Sequence, residues 1–216
     1  MAATRSERQR RARQVRRRAI LEALAALARP LILERFGPSS CIASTAIGID
    51  VLRRFGIGAR PLPVRVEIYN PALAAALAAG NEPPTDPAAR PAWMDAFGGW
   101  SIGLGMGGDE EPGKWPGHLV CWVDSPPVFV DLSLDQASRP ARQIELGTAV
   151  FEPLPGFERG DQLAPFALPN GCLCRYQAVP AQQEFRRVPD WADRGRRSET
   201  VARIEAAIRA RLAAAS

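Results

Sequence analysis

Apolar residues from Ile42 onward recur at helical spacing, at Ala46, Ile49, Leu52 and Phe55, with Ser39 and Ser40 before them as N-cap residues and Gly56 after them as a stop. The spacing predicts a helix with Cys41 in its first turn. Upstream, Ile20, Leu21, Leu24, Leu27 and Leu31 share one helical face, which predicts an amphipathic helix packed on the domain. Downstream, RPLPVRVEIYN alternates Leu62, Val64, Val66 and Ile68 against polar or small residues and reads as a strand. PALAAALAAG follows as a short helix with Pro71 at its start and Gly80 at its end. Residues Asn81 to Pro91 read as a surface loop bordering a cleft.

The second half of the chain favours strands. One is expected around Trp100 to Leu104, and two more, in GHLVCWVD and VFVDLSL, are joined by a turn at Pro126 and Pro127. Alternation in NGCLCRYQAV places Cys172 and Cys174 on one face of a further strand. At the end, Ser198 is expected to cap a helix whose Val201, Ile204, Ile208 and Leu212 form an apolar stripe, with its arginines facing solvent or a partner. The chain thus contains both helices and strands. With 216 residues and 46% hydrophobic side chains, the chain can bury one full core.

Charge separates the first eighteen residues from the rest. The formal net charge is +5, yet Arg5, Arg8, Arg10, Arg11, Arg13, Arg16, Arg17 and Arg18 all fall in that short arm, and the remainder carries a slight excess of acid. We therefore divide the chain into a basic arm, residues 1–18, and a single domain, residues 19–216. An arginine run of this kind can meet nucleic acid or an acidic partner through salt-dependent contacts, or can simply be a solvated helix start. No aromatic residues interleave with these arginines to stack on bases, which favours the solvated start. Glu22 and Arg29 interrupt the apolar run that follows, which argues against a signal peptide. No apolar stretch approaches the roughly eighteen residues needed to cross a bilayer, so a cytoplasmic protein is expected. Lys114 is the only lysine, and alanine is frequent, which suggests a GC-rich bacterial or phage genome.

Candidate chemistry centres on Cys41. A thiol at a helix start is favoured as thiolate by unpaired backbone N–H groups and by the helix dipole, which also suit the oxyanion of a tetrahedral intermediate. His118 is the only histidine, and Asp131 lies on the next predicted strand, where antiparallel pairing can bring the two side by side. A carboxylate on one ring nitrogen leaves the other for the thiol. Asp124 and Asp135 are fallback carboxylates.

The segment SSCIASTAIGIDVLRRFGIGARPLPVRVEI, together with GHLVCWVDSPPVFVDLSLDQ, resembles the nucleophile segment and the histidine and aspartate strands of transglutaminase-like cysteine enzymes. The resemblance covers about residues 41–70 and 117–136. It implies a papain-like α+β core, with the nucleophile helix packed on an antiparallel sheet and flanked by terminal helices. It also implies Cys41 as nucleophile, His118 as general base and Asp131 as the residue that orients the ring, acting on a peptide or another amide-containing substrate. The family spans transglutaminases, peptidases and amidases, so the resemblance leaves the acyl acceptor open. Arylamine acetyltransferases share the same residue order, but their Arg-Gly-Gly before the cysteine is replaced here by Gly37, Pro38, Ser39 and Ser40. A non-enzymatic binding protein that uses the basic arm is the alternative from another class.

Other patterns carry less. Trp93, Trp100 and Trp115 can line a groove, and of these Trp100 and Trp115 are the candidate substrate-binding residues. Gly103, Gly105 and Gly108 form a G-x-G-x-x-G, and Gly108 to Lys114 a G-x-x-x-x-G-K. Trp115 stands where a phosphate loop needs Ser or Thr, and Asp109, Glu110 and Glu111 would repel phosphate. Cys121, Cys172, Cys174 and His118 match no familiar zinc spacing, and two buried thiols in a sheet are the simpler account. No cofactor or metal is expected.

Overall fold

A computed structural model describes residues 4–106 and 115–215 of the chain. Helix α1, Arg5–Phe36, opens with a reciprocal capping box between Thr4 and Glu7. From Arg5 the basic arm is thus the first part of one continuous helix, and its residues from Ser6 to Gln14 are exposed. From Ile20 onward one face is buried, through Leu24 and Ala28 to Ile32, while Leu27 and Leu31 sit at its margin. Helix α2, Cys41–Arg54, follows a short turn and is almost wholly buried from Ile42 to Leu52. Strand β1, Ala59–Tyr69, then runs into helix α3, Pro71–Ala78, which the Asn70 side chain caps.

The stretch read as a loop up to Pro91 contains a turn of 3-10 helix, Pro87–Ala89, and the start of helix α4, Arg90–Ala96. Asp86 initiates it by accepting from the Ala88 N–H, a local contact that apolar periodicity does not reveal. The remaining strands are β2, Ser101–Leu104; β3, His118–Val123; β4, Val128–Asp131; β5, Ala149–Phe151; β6, Leu163–Ala167; and β7, Leu173–Ala178. Helices α5, Pro189–Ala192, and α6, Arg194–Ala214, close the chain.

Ser198 does not cap the last helix. Asp193 does, by accepting from the Arg196 N–H, and Ser198 lies one turn inside. Nor do all of its arginines face solvent. Arg197 is 4% exposed, and its guanidinium meets Asp50 Oδ2 at 3.1 Å and three carbonyls, of Asp190, Trp191 and Asp193. A buried arginine is tolerated when its donors are used in this way.

All strands pair antiparallel, in the order β5-β4-β3-β1-β7-β6, with β2 also on β1. Along one edge β1 pairs first with β3 and then with β2, so that Val64 faces His118 and Val66 faces Leu104. Along its other edge β1 pairs with β7, and Val66 faces Tyr176. Helices α1, α2 and α6 cover one face of the sheet, where Leu24, Ile47, Leu52, Val130 and Ile204 share a core. The sheet curls around its other face, which is aromatic. Phe129 is its hub, with ring centroids of Phe151, Phe157, Phe166 and Tyr176 at 4.9–5.4 Å. Among the described residues no helix is long and apolar enough to cross a membrane.

Candidate active site

Helix α2 reaches the sheet closely because Gly48 has no side chain. A Cβ there would lie 2.7 Å from Cys121 Sγ and 2.9 Å from Leu132 Cδ1. Thr45 fixes the height of the helix by donating its hydroxyl to Leu119 O at 2.8 Å. These contacts carry the start of α2 to the start of β3, where Cys41 Sγ lies 3.8 Å from the carbonyl of Gly117. Cys41 is half-buried, whereas Cys121, Cys172 and Cys174 are buried and none of the four is disulfide-bonded. Burial pushes the Cys174 thiol up to about 12 and raises those of Cys121 and Cys172 as well.

Strand β3 is buried at every position, so His118 enters the interior. Gly105 makes room for it from the end of β2. It adopts φ +68°, and a Cβ there would sit 2.6 Å from Val64 O and 2.8 Å from the His118 backbone nitrogen. His118 Nε2 and Asp131 Oδ2 are 2.8 Å apart, with the two side chains 1% and 0% exposed. Of the three aspartates considered, only Asp131 meets the histidine. Asp124 accepts from Trp122 Nε1, and Asp135 faces Arg29.

Asp131 is held as a carboxylate. Burial, the largest single influence, raises its pKa, but His118, the Ser133 N–H and the Tyr176 hydroxyl together outweigh burial and leave it below the ordinary value. The Ser133 N–H donates to Oδ1 at 3.0 Å and Tyr176 Oη to Oδ2 at 2.9 Å. Burial likewise opposes a charge on His118, yet Asp131 and the nearby Cys41 sulfur raise its pKa to about 10.

With Nε2 given to Asp131, Nδ1 is the nitrogen left to exchange a proton with sulfur. Gln136 Nε2 lies 2.8 Å from it. A neutral ring accepts there from the amide N–H, and a half-turn of the amide presents its oxygen to an imidazolium. Gln136 sits on a turn of 3-10 helix, Leu134–Ala137, just past Asp131.

Trp115 packs beside Cys41 in a small apolar cluster with Ile42, Leu119, Phe185 and Trp191. Its ring is 5.5 Å from that of Phe185, which stands 4.9 Å from Trp191. Trp100 is placed differently: its ring is stacked under Arg142 at 3.1 Å and its backbone N–H donates to Asn70 Oδ1. Trp93 packs edge-on against Phe97. The G-x-x-x-x-G-K stretch, Gly108 to Lys114, lies outside the described residues.

Four contributors escaped the sequence patterns: Tyr176, Gln136, Arg29 and Phe185. Tyr176 alternates with Cys174 along β7, so its face was legible although its strand partner was not. Arg29 stood out as a charge inside an apolar stripe, the usual mark of a buried, paired group. Comparisons of the chain with family models, with curated proteins and with solved structures find no match.

Proposed function

We propose that the chain is a cysteine-dependent enzyme for acyl transfer or amide hydrolysis, with Cys41 as nucleophile, His118 as general base and Asp131 as the residue that orients and charges the ring. One observation carries the reading: a buried, tightly paired His118 and Asp131 beside the half-buried sulfur at the start of α2. Buried ion pairs of this kind also occur for structural reasons, but here the ring abuts the one thiol with access to solvent. The packing of α2 on a curled antiparallel sheet supports a papain-like or transglutaminase-like core.

In the proposed reaction His118 Nδ1 takes the Cys41 proton first, giving the imidazolium that Asp131 stabilises, and the thiolate sulfur then bonds to the carbonyl carbon of a peptide or another amide. The amine leaves with the proton from Nδ1, and water or a second amine then releases the acyl group. Trp115 borders the acyl group, with Phe185 and Trp191 behind it. Alkylation by iodoacetamide, followed by peptide mass mapping, tests the assignment. Cys41 is expected to react faster than Cys121, Cys172 or Cys174, and His118→Ala to slow it at least tenfold. Equal labelling of the four thiols, or a rate indifferent to His118→Ala, would remove the reading.

The exposed start of α1 supports a second reading, in which the arginines engage nucleic acid or an acidic partner. It predicts salt-sensitive binding that is lost on deletion of residues 1–18, while Cys41 labelling persists.

A further inference from the structure

Arg29 lies in the apolar part of α1 and is 6% exposed. Its Nη1 donates to Ser40 Oγ at 2.8 Å and to Ser44 Oγ at 3.3 Å, and its Nη2 to Pro38 O at 2.8 Å. Its Nε lies 2.7 Å from Asp135 Oδ1, an ion pair without the alignment of a hydrogen bond. Every one of these partners belongs to a segment that carries the site: the entry to α2 with Cys41, or the turn with Gln136.

Ser40 occupies the N-cap position of α2 and yet does not cap it. Its hydroxyl donates to Gly37 O at 2.7 Å and accepts from Arg29, and its backbone, at φ −122° and ψ 34°, lies outside the extended region from which a serine reaches the first-turn amides. The sequence pattern predicts the cap, and a tertiary contact removes it.

We propose that Arg29 is a positioning residue of the acyl-transfer site: by gripping the Ser40 hydroxyl and the Pro38 carbonyl, it keeps the first-turn amides of α2 open for the oxyanion. The proposal rests on Cys41 being the nucleophile, as argued above. During attack by the thiolate, whose proton His118 Nδ1 already holds, the Sγ–C bond forms and the carbonyl π pair moves onto oxygen. The first-turn N–H groups donate to that oxygen until the C=O reforms, the bond to the leaving group breaks, and the leaving group takes the proton. A serine that capped these amides would hinder the oxyanion. It would not hinder a reaction at sulfur that forms none.

Two probes on the purified full-length chain separate these cases. p-Nitrophenyl acetate acylates Cys41 through an oxyanion and releases p-nitrophenol, whereas iodoacetamide alkylates it by displacing iodide. Arg29→Gln is expected to slow acylation about tenfold to a hundredfold and to leave alkylation nearly unchanged. Adding Ser40→Ala to that variant is expected to restore most of the acylation rate, since no hydroxyl then remains to cap. Unchanged acylation in Arg29→Gln, a parallel loss with both probes, or no recovery in the double variant overturns the proposal. If thermal melting shows that Arg29→Gln does not fold, Arg29→Lys, which keeps a charge opposite Asp135 with fewer donors, is tested with the same expected and overturning results. Cys41→Ala distinguishes the two levels. If it abolishes acylation while Arg29→Gln matches wild type, only the role of Arg29 falls; if it retains acylation, the assignment of the nucleophile falls as well.

Discussion

His118 and Tyr176 converge on a single oxygen: Nε2 and the phenolic hydroxyl approach Asp131 Oδ2 at 2.8 Å and 2.9 Å from two different strands. The shared oxygen makes the tyrosine part of the electrostatics of the ring. Tyr176→Phe keeps the aromatic packing and removes one hydrogen bond to a buried carboxylate, which should cost about 1.5–3 kcal/mol of stability. Urea unfolding measures it. The variant should also slow Cys41 alkylation, because a less stabilised carboxylate holds the imidazolium less firmly.

The ion pair should leave a signature in pH. The His118 pKa in the folded chain, about 10, lies above the ordinary 6.5, so its contribution is complete below about 6.5 and is lost as pH rises toward about 10. Asp131 is displaced downward from 3.8, so its contribution is present above that value and is lost as acid protonates the folded carboxylate. The difference in denaturation midpoint between wild type and Asp131→Asn should therefore be widest near pH 5–6 and narrow toward pH 10. A difference that stays flat from pH 5 to pH 10 would contradict a charged pair.

Gly105 is required twice over, by its positive φ and by the contact between β2 and His118. Gly105→Ala should destabilise the chain by about 1–3 kcal/mol from backbone strain alone. Because the clash falls on the His118 backbone, alkylation of Cys41 should slow more than for an equally destabilising change in α6. Thermal melts and labelling rates measured on the same samples check this.

Gly48→Ala pushes on Cys121 and Leu132 and so lifts α2 from the sheet. The expected cost is about 1–3 kcal/mol. Since Cys41 rides on the same helix, its alkylation rate should fall, while Cys121, freed from close packing, becomes easier to label. An unchanged ratio of the two labelling rates would show that the helix adapts without moving.

Where the candidate site was legible in the sequence, the signals were local. Cys41 stood at the head of a periodic apolar run, and His118 and Asp131 lay on two strands joined by a short turn, so antiparallel pairing across a spacing of thirteen residues was enough to bring them together. Tyr176 reaches the same site from β7, through a pairing with β1 that is more than a hundred residues away in sequence. Gln136 lies in a single turn with no periodicity of its own. Ser40 failed as a cap for the same kind of reason: Arg29, on a different helix, competes for its hydroxyl. Arg197 misled in the opposite direction, because helical spacing identifies a face but not the carbonyls that the face will meet.

Strand β1 contributes none of the proposed reacting groups, yet Val64 sets the height of His118 and Val66 that of Tyr176. It serves as the common ruler for two residues that must reach one oxygen. A slip of one residue along this ruler would turn each side chain to the opposite face, so the site is assembled or lost as a unit rather than degraded by steps. Substitutions that loosen β1 should then mimic loss of the histidine, although no altered atom touches the thiol.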